Sequence, residues 1–254
     1  MTEIRTARLN ERGRQVLARA MRFRHLGWGF ADQALSSLSN FGVSLAAART
    51  STATEYGAFS IAFATYVIGV GVVRALVSDV YAVRYAEHDG RASRSYPAAS
   101  GAWGAAVAIS LAGTAACLIG AVLASGPLQS SLLVGAVGLP VLVVHDVGRY
   151  LCITRSDAFG AMLLDATWVG TFGLALVATT VTSGFPGAIP TLALWVGGAA
   201  CGVVVGFLRV RAVPGLRAGL RFMRGVWRFS ARYMIDWVAL GASVQLGYYV
   251  LGAV

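Results

Sequence analysis

Lysine is missing from this chain: all 21 basic residues are arginine, set against 11 acidic residues, a bias that GC-rich coding produces as readily as selection does. Charge of either sign is scarce, at 13% of the 254 residues, while 57% are hydrophobic and the formal net charge is +10. With a mean hydropathy of +0.67, this composition excludes a soluble domain, which would not need so many apolar residues for its core. It also excludes a nucleic-acid-binding protein, because a soluble basic surface hardly exists here. Cysteine is rare. Cys117, Cys152 and Cys201 are odd in number, lie in or beside apolar segments and lack CxxC spacing, so they read as small buried apolar residues rather than a disulfide framework or metal site. Enzyme motifs are missing as well: there is no GxxxxGK[ST], HExxH or GxSxG, so no catalytic residue, cofactor or metal ligand is assigned. The first 25 residues carry seven arginines and no continuous apolar core, which excludes a cleaved signal peptide and keeps the N-terminus in the cytosol.

What is present is a series of long apolar runs. A helix crossing about 30 Å of hydrocarbon needs roughly 20 apolar residues. Seven stretches qualify: Gly27 to Ala48, Tyr56 to Val80, Ala98 to Ala124, Leu128 to Tyr150, Ala158 to Val181, Ile189 to Phe207, and Phe229 onward. The odd-numbered gaps between them are short and almost uncharged, holding only Arg49 and Glu55. The even-numbered gaps hold Arg84, Arg91 and Arg94, then Arg149 and Arg155, then six arginines from Arg209 to Arg228. By the positive-inside rule these gaps and the N-terminus are cytoplasmic. The expected fold is an all-α, polytopic transmembrane helical bundle in the plasma membrane. Its divisions are a basic cytoplasmic or interfacial segment at 1–26, a six-helix bundle at 27–208, a basic interfacial linker helix at 209–228 and a seventh span at 229–254.

In the linker, Leu216, Leu220, Met223 and Trp227 repeat at helical spacing, and Arg217, Arg221, Arg224 and Arg228 follow one position later. An apolar stripe beside a cationic one suits a helix lying in the headgroup plane; an arginine-rich loop that only enforces topology is the plainer alternative. Charged residues within the spans are costly unless they face a cavity or find a partner. Asp32, Arg74, Asp79, Asp146, Arg149, Asp165, Arg232 and Asp236 all fall in the cytoplasmic third, on several helices. Either they converge on a polar vestibule, or they pair locally, as Asp146 can with Arg149 and Arg232 with Asp236. Arg74, Asp32 and Asp165 have no local partner and are expected to face a cavity. His145 is a proton-relay candidate by residue type, or a hydrogen-bonded packing residue. Gly198, Gly202 and Gly206, like Gly101, Gly104 and Ala105, mark close helix packing.

Asp32-Gln33, Ser36-Ser37, Asn40-Phe41, Ala48-Arg49 and Glu55-Tyr56-Gly57-Ala58-Phe59, with Arg74-Ala75-Leu76 farther on, resemble the opening two helices of polysaccharide-biosynthesis flippases of the O-antigen and teichoic-acid export type. These belong to the multidrug/oligosaccharidyl-lipid/polysaccharide exporter superfamily. The resemblance implies two six-helix bundles, so the seventh span would begin the second and repeat the first; an offset of about 205 residues sets Asn40 against Gln245 and Gly42 against Gly247. Such proteins have twelve or more helices, and this chain stops at Val254, which points to a fragment lacking its C-terminal half or to a homodimer. The implied function is alternating-access export of a lipid-linked oligosaccharide on an isoprenoid-diphosphate carrier. Arg74 is the first candidate for headgroup contact, Arg217, Arg221 and Arg224 gather anionic lipid, and Asp32 and Asp165 are ion-coupling candidates. The alternatives are a multidrug or small-molecule exporter on the same fold, or an inactive fragment.

Overall fold

The computed structural model describes residues 27–86 and 96–239, and these are helical nearly throughout. Helix α1 covers 27–50. Helix α2 (Ala53–Val73) runs through a π-helical turn, Arg74–Ser78, into α3 (Asp79–Ala86), followed by α4 (Tyr96–Leu123), α5 (Gly126–Thr154), α6 (Ala158–Ser183), α7 (Ala188–Val210) and α8 (Leu216–Trp237). Five of these elements are long and apolar enough to cross a membrane: α2 with its continuation, α4, α5, α6 and α7. The chain is a polytopic helical bundle.

Helix α1 is not among the five, although its position is that of the expected first span. The reason is its inward face. Asp32, Ser36, Ser39, Val43 and Ala47 recur at intervals of three or four and are buried, whereas Phe30, Leu38 and Phe41 are 79%, 55% and 64% exposed. A helix in water does the reverse; this one turns Asp32, Ser36 and Ser39 toward protein and its largest apolar groups outward, as lipid demands, while Gln33 and Ser37 are exposed as well. Of the seventh span only the beginning can be followed. Helix α8 runs unbroken across the expected boundary at Arg228 and Phe229, and 240–254, with Gln245 and Gly247, lie outside the described residues, as do 1–26.

Helix α5 is the central post. From Leu142 to Arg149 every residue is buried, on all faces of two turns, because α2, α4, α6 and α7 surround it. Pro140 lies inside this helix and has no N–H for the Ala136 carbonyl. Thr114 Oγ1 of α4 donates to that carbonyl at 2.9 Å, the kind of side-chain repair a broken helix ladder needs away from water. The π-turn is served similarly: Ser230 Oγ of α8 donates to the Leu76 carbonyl at 2.8 Å.

Small residues set the closest crossings. A Cβ on Gly198 would stand 2.8 Å from the Trp168 carbonyl and one on Gly202 2.6 Å from the His145 ring, which brings α7 against α6 and α5. A Cβ on Gly104 would stand 2.1 Å from the Gly215 carbonyl, and one on Gly219 2.4 Å from the Ala105 nitrogen, so α8 lies against α4 backbone to backbone. The face α8 buries is Gly219, Phe222, Val226 and Ser230. The Leu216, Leu220, Trp227 stripe is 57%, 58% and 61% exposed, a second apolar face turned away from the bundle.

The two ends of the bundle differ. At one, Arg209 Nη2 donates to both Asp157 oxygens at 2.8 and 2.7 Å, Arg155 Nη1 to the Val210 carbonyl at 2.8 Å, and Arg84 Nη1 to the Gly225 carbonyl at 2.7 Å. These gap arginines stitch helix ends together besides marking topology. At the other end Glu55 is spent on a capping box: the Thr52 nitrogen donates to Glu55 Oε2 at 2.9 Å, and the Glu55 nitrogen to Thr52 Oγ1 at 3.3 Å.

Candidate functional site

The intramembrane charges converge. Arg149 of α5 donates through Nη2 to Asp32 Oδ2 of α1 at 2.6 Å and through Nε to Asp32 Oδ1 at 3.2 Å. Its Nε also lies 3.1 Å from Asp165 Oδ2 of α6, and its Nη1 3.5 Å from Asp146 Oδ1 one turn back. Nη1 also reaches Ser36 Oγ at 3.4 Å. One guanidinium therefore joins three helices. Asp146 is held mainly by a second arginine: Arg74, at the start of the π-turn, donates through Nε at 2.9 Å and Nη2 at 2.5 Å to its two oxygens. This is the side-on, two-bond pairing that a planar guanidinium makes with carboxylate.

Arg149 is thus the hub, which its sequence spacing concealed. The local pair with Asp146 exists but is the longest of its ionic contacts. Asp32 and Asp165, expected to face a cavity, are instead 4% and 0% exposed and lie against Arg149. Only Arg74 of the three lines open space. Arg232 and Asp236 are both exposed on α8 and join neither each other nor this network. The signal that could have found Arg149 was depth: it shares its membrane level with Asp32, Asp146 and Asp165, and one long arginine can reach all three.

His145 is fully buried beside the cluster. Its ring meets Trp168 edge-on at 4.7 Å, and its Nε2 lies 3.8 Å from Asp165 Oδ1 with no hydrogen-bond partner. Gly202 leaves the room it occupies. Behind it, Trp168 Nε1 donates to the Trp195 carbonyl at 2.8 Å and Trp195 Nε1 to Ser39 Oγ at 2.7 Å, tying α6, α7 and α1 together.

On the other side of Arg74 a cavity of about 420 Å³ opens, lined by Asn40, Tyr66, Arg74, Asp79, Tyr150 and Trp237 among others. Arg74 lies 5.5 Å over the Tyr150 ring. Asn40 Oδ1 is buried with no partner. The Arg74 side chain is 39% exposed. Its Nε and Nη2 are engaged by Asp146, and Nη1 has no hydrogen-bond partner among the described residues. Arg217, Arg221 and Arg224 are remote from this cavity, on the exposed face of α8. Among the described residues no group of three or more histidine, cysteine or acidic side chains is placed to hold a metal ion.

No protein-family model matches the chain, and no curated protein matches it. Among solved structures, one described as MATE in the bent conformation is similar over 85% of this chain and 52% of its own, at 14% identity and a TM-score of 0.48. The chain thus spans about half the length of that protein.

Proposed function

We propose that this chain forms one bundle of an ion-coupled membrane exporter. The observation that carries the reading is the charge count of the buried cluster. Asp32, Asp146 and Asp165 bring three carboxylates to the two guanidiniums of Arg74 and Arg149. A surplus charge in a membrane interior is balanced by taking up one proton or one monovalent cation. Asp165 makes no well-aligned hydrogen bond and is the carboxylate least committed to an arginine. Uptake there would loosen α6 from Arg149. Because Arg149 also holds α1 and its neighbour Asp146 holds Arg74, such a change reaches the wall of the cavity.

For the cargo, we propose a lipid-linked oligosaccharide on isoprenoid diphosphate. Support comes from the resemblance over Phe30 to Phe59 and from Arg74, whose free edge can meet a phosphate oxygen while Asp146 holds the other. A second reading is favoured by one observation: the cavity wall carries Asp79 along with Tyr66, Tyr150 and Trp237, a lining suited to an organic cation. Arg74→Ala separates the two. It should abolish surface-polymer assembly in cells that depend on this protein, with membrane abundance unchanged. Intact polymer output together with altered resistance to cationic compounds would overturn the oligosaccharide reading in favour of the second.

A further inference from the structure

Arg217, Arg221, Arg224, Arg228 and Arg232 are all exposed on α8 and at about 100° per residue fall within an arc of roughly 80°. None forms an ion pair among the described residues. A helix with one face packed on the bundle, a second presenting Leu216, Leu220 and Trp227 outward and a third presenting the row from Arg217 to Arg232 is built to lie where hydrocarbon, protein and anionic headgroups meet. At one place this surface is concave. Between the end of α3, the first turn of α4 and α8 lies a groove of about 430 Å³, with Arg84 and Arg221 beside the aromatic walls of Tyr85 and Phe222. The Arg84 guanidinium is fixed there by the Gly225 carbonyl, 2.7 Å from its Nη1, and lines the same space as Arg221.

We infer that this groove is a binding site for one anionic phospholipid of the surrounding bilayer. Arg84 and Arg221 would take the headgroup phosphate, and Tyr85 and Phe222 would pack against the glycerol and upper acyl chain. Among the described residues no acidic side chain lines the groove, and both of its charged groups are cationic, which suits an anion. The exposed Leu216, Leu220 and Trp227 face lies across the arginine row from the groove, and a helix with both faces suits the level where lipid phosphates lie. The groove is separate from the Arg74 cavity, and the inference does not depend on what the protein exports. A bound lipid would pin α3 to α8, and α8 in turn holds the π-turn through Ser230.

The test is native mass spectrometry of the full chain released from phosphatidylcholine nanodiscs doped with phosphatidylglycerol. The wild type should retain one phosphatidylglycerol. Arg221→Gln should lower that occupancy by at least about fivefold, the effect of one arginine near an anionic surface. Arg232→Gln removes the same charge from the same helix face but outside the groove, and should retain the lipid. Equal losses in both variants would reduce the effect to general surface attraction and overturn the site, as would wild-type retention by Arg221→Gln. Both substitutions are of exposed side chains, and an unchanged melting temperature verifies that the fold is intact.

Discussion

Arg149 and Arg217 are the same residue type used for opposite purposes. Inside the bundle, Arg149 meets carboxylates from α1, α5 and α6 and is 4% exposed; on α8, Arg217 and its neighbours are exposed and form no ion pair among the described residues. The interior cluster is a tertiary bond that ties α1 and α6 to α5 beside their apolar packing. The outer row is a surface property, meaningful only against another phase. Guanidinium suits both tasks, offering a planar fork to carboxylates in one place and a long snorkelling stem in the other. The difference teaches that an arginine's sequence neighbours say little about its use, whereas the partners at its membrane depth say much.

The comparison predicts very unequal consequences of substitution. The largest belongs to Arg149→Ala, which strands Asp32 and Asp165 in the interior. Removing one partner of a buried pair costs on the order of 3–5 kcal/mol, so detergent-solubilised protein should melt far below wild type. Because a single ammonium cannot span three carboxylates, Arg149→Lys should recover only part of that loss. Wild-type melting of the alanine variant would show that the cluster contributes nothing to the fold. Gly104→Val comes next. Its added atoms meet the Gly215 carbonyl, and overpacking of this kind costs about 1–3 kcal/mol. Helix α8 should lift from α4, read as faster proteolysis in the 211–215 connection; unchanged protection there would argue against the backbone contact. Thr114→Val should be milder, about 0.6–1.7 kcal/mol for the Ala136 carbonyl left without its donor, seen as a small fall in melting temperature. Smallest for stability is Arg224→Gln: the melting temperature should stay put while adsorption of α8 to anionic vesicles weakens. A clear melting loss would show that the outer arginines hold the fold as the inner ones do.

The hydropathy pattern already showed the helical class and most of the span boundaries, because each crossing must be apolar for its full length. It also placed a first span at α1, whose composition is made more polar by the buried Asp32, Ser36 and Ser39 while Phe30, Leu38 and Phe41 face outward. The glycine spacing in α7 pointed to close packing, and α6 is indeed there with its Trp168 carbonyl. In α8 the arginine row and outer stripe were legible, but Gly219, Phe222, Val226 and Ser230 form a third face that only the neighbours α4 and the π-turn give meaning. The π-turn itself left no mark in a run of ordinary helix formers.

From sequence alone followed a membrane-embedded helical chain, its spans and the set of intramembrane charges, because transfer of side chains into hydrocarbon depends on composition and local order. Which charge meets which was decided by tertiary structure. Asp32, Arg74, Asp146 and Arg149 lie up to 117 positions apart, and their pairing depends on how α1, α2, α5 and α6 are arranged around one another, a geometry set by packing of all the helices together and written in no single segment.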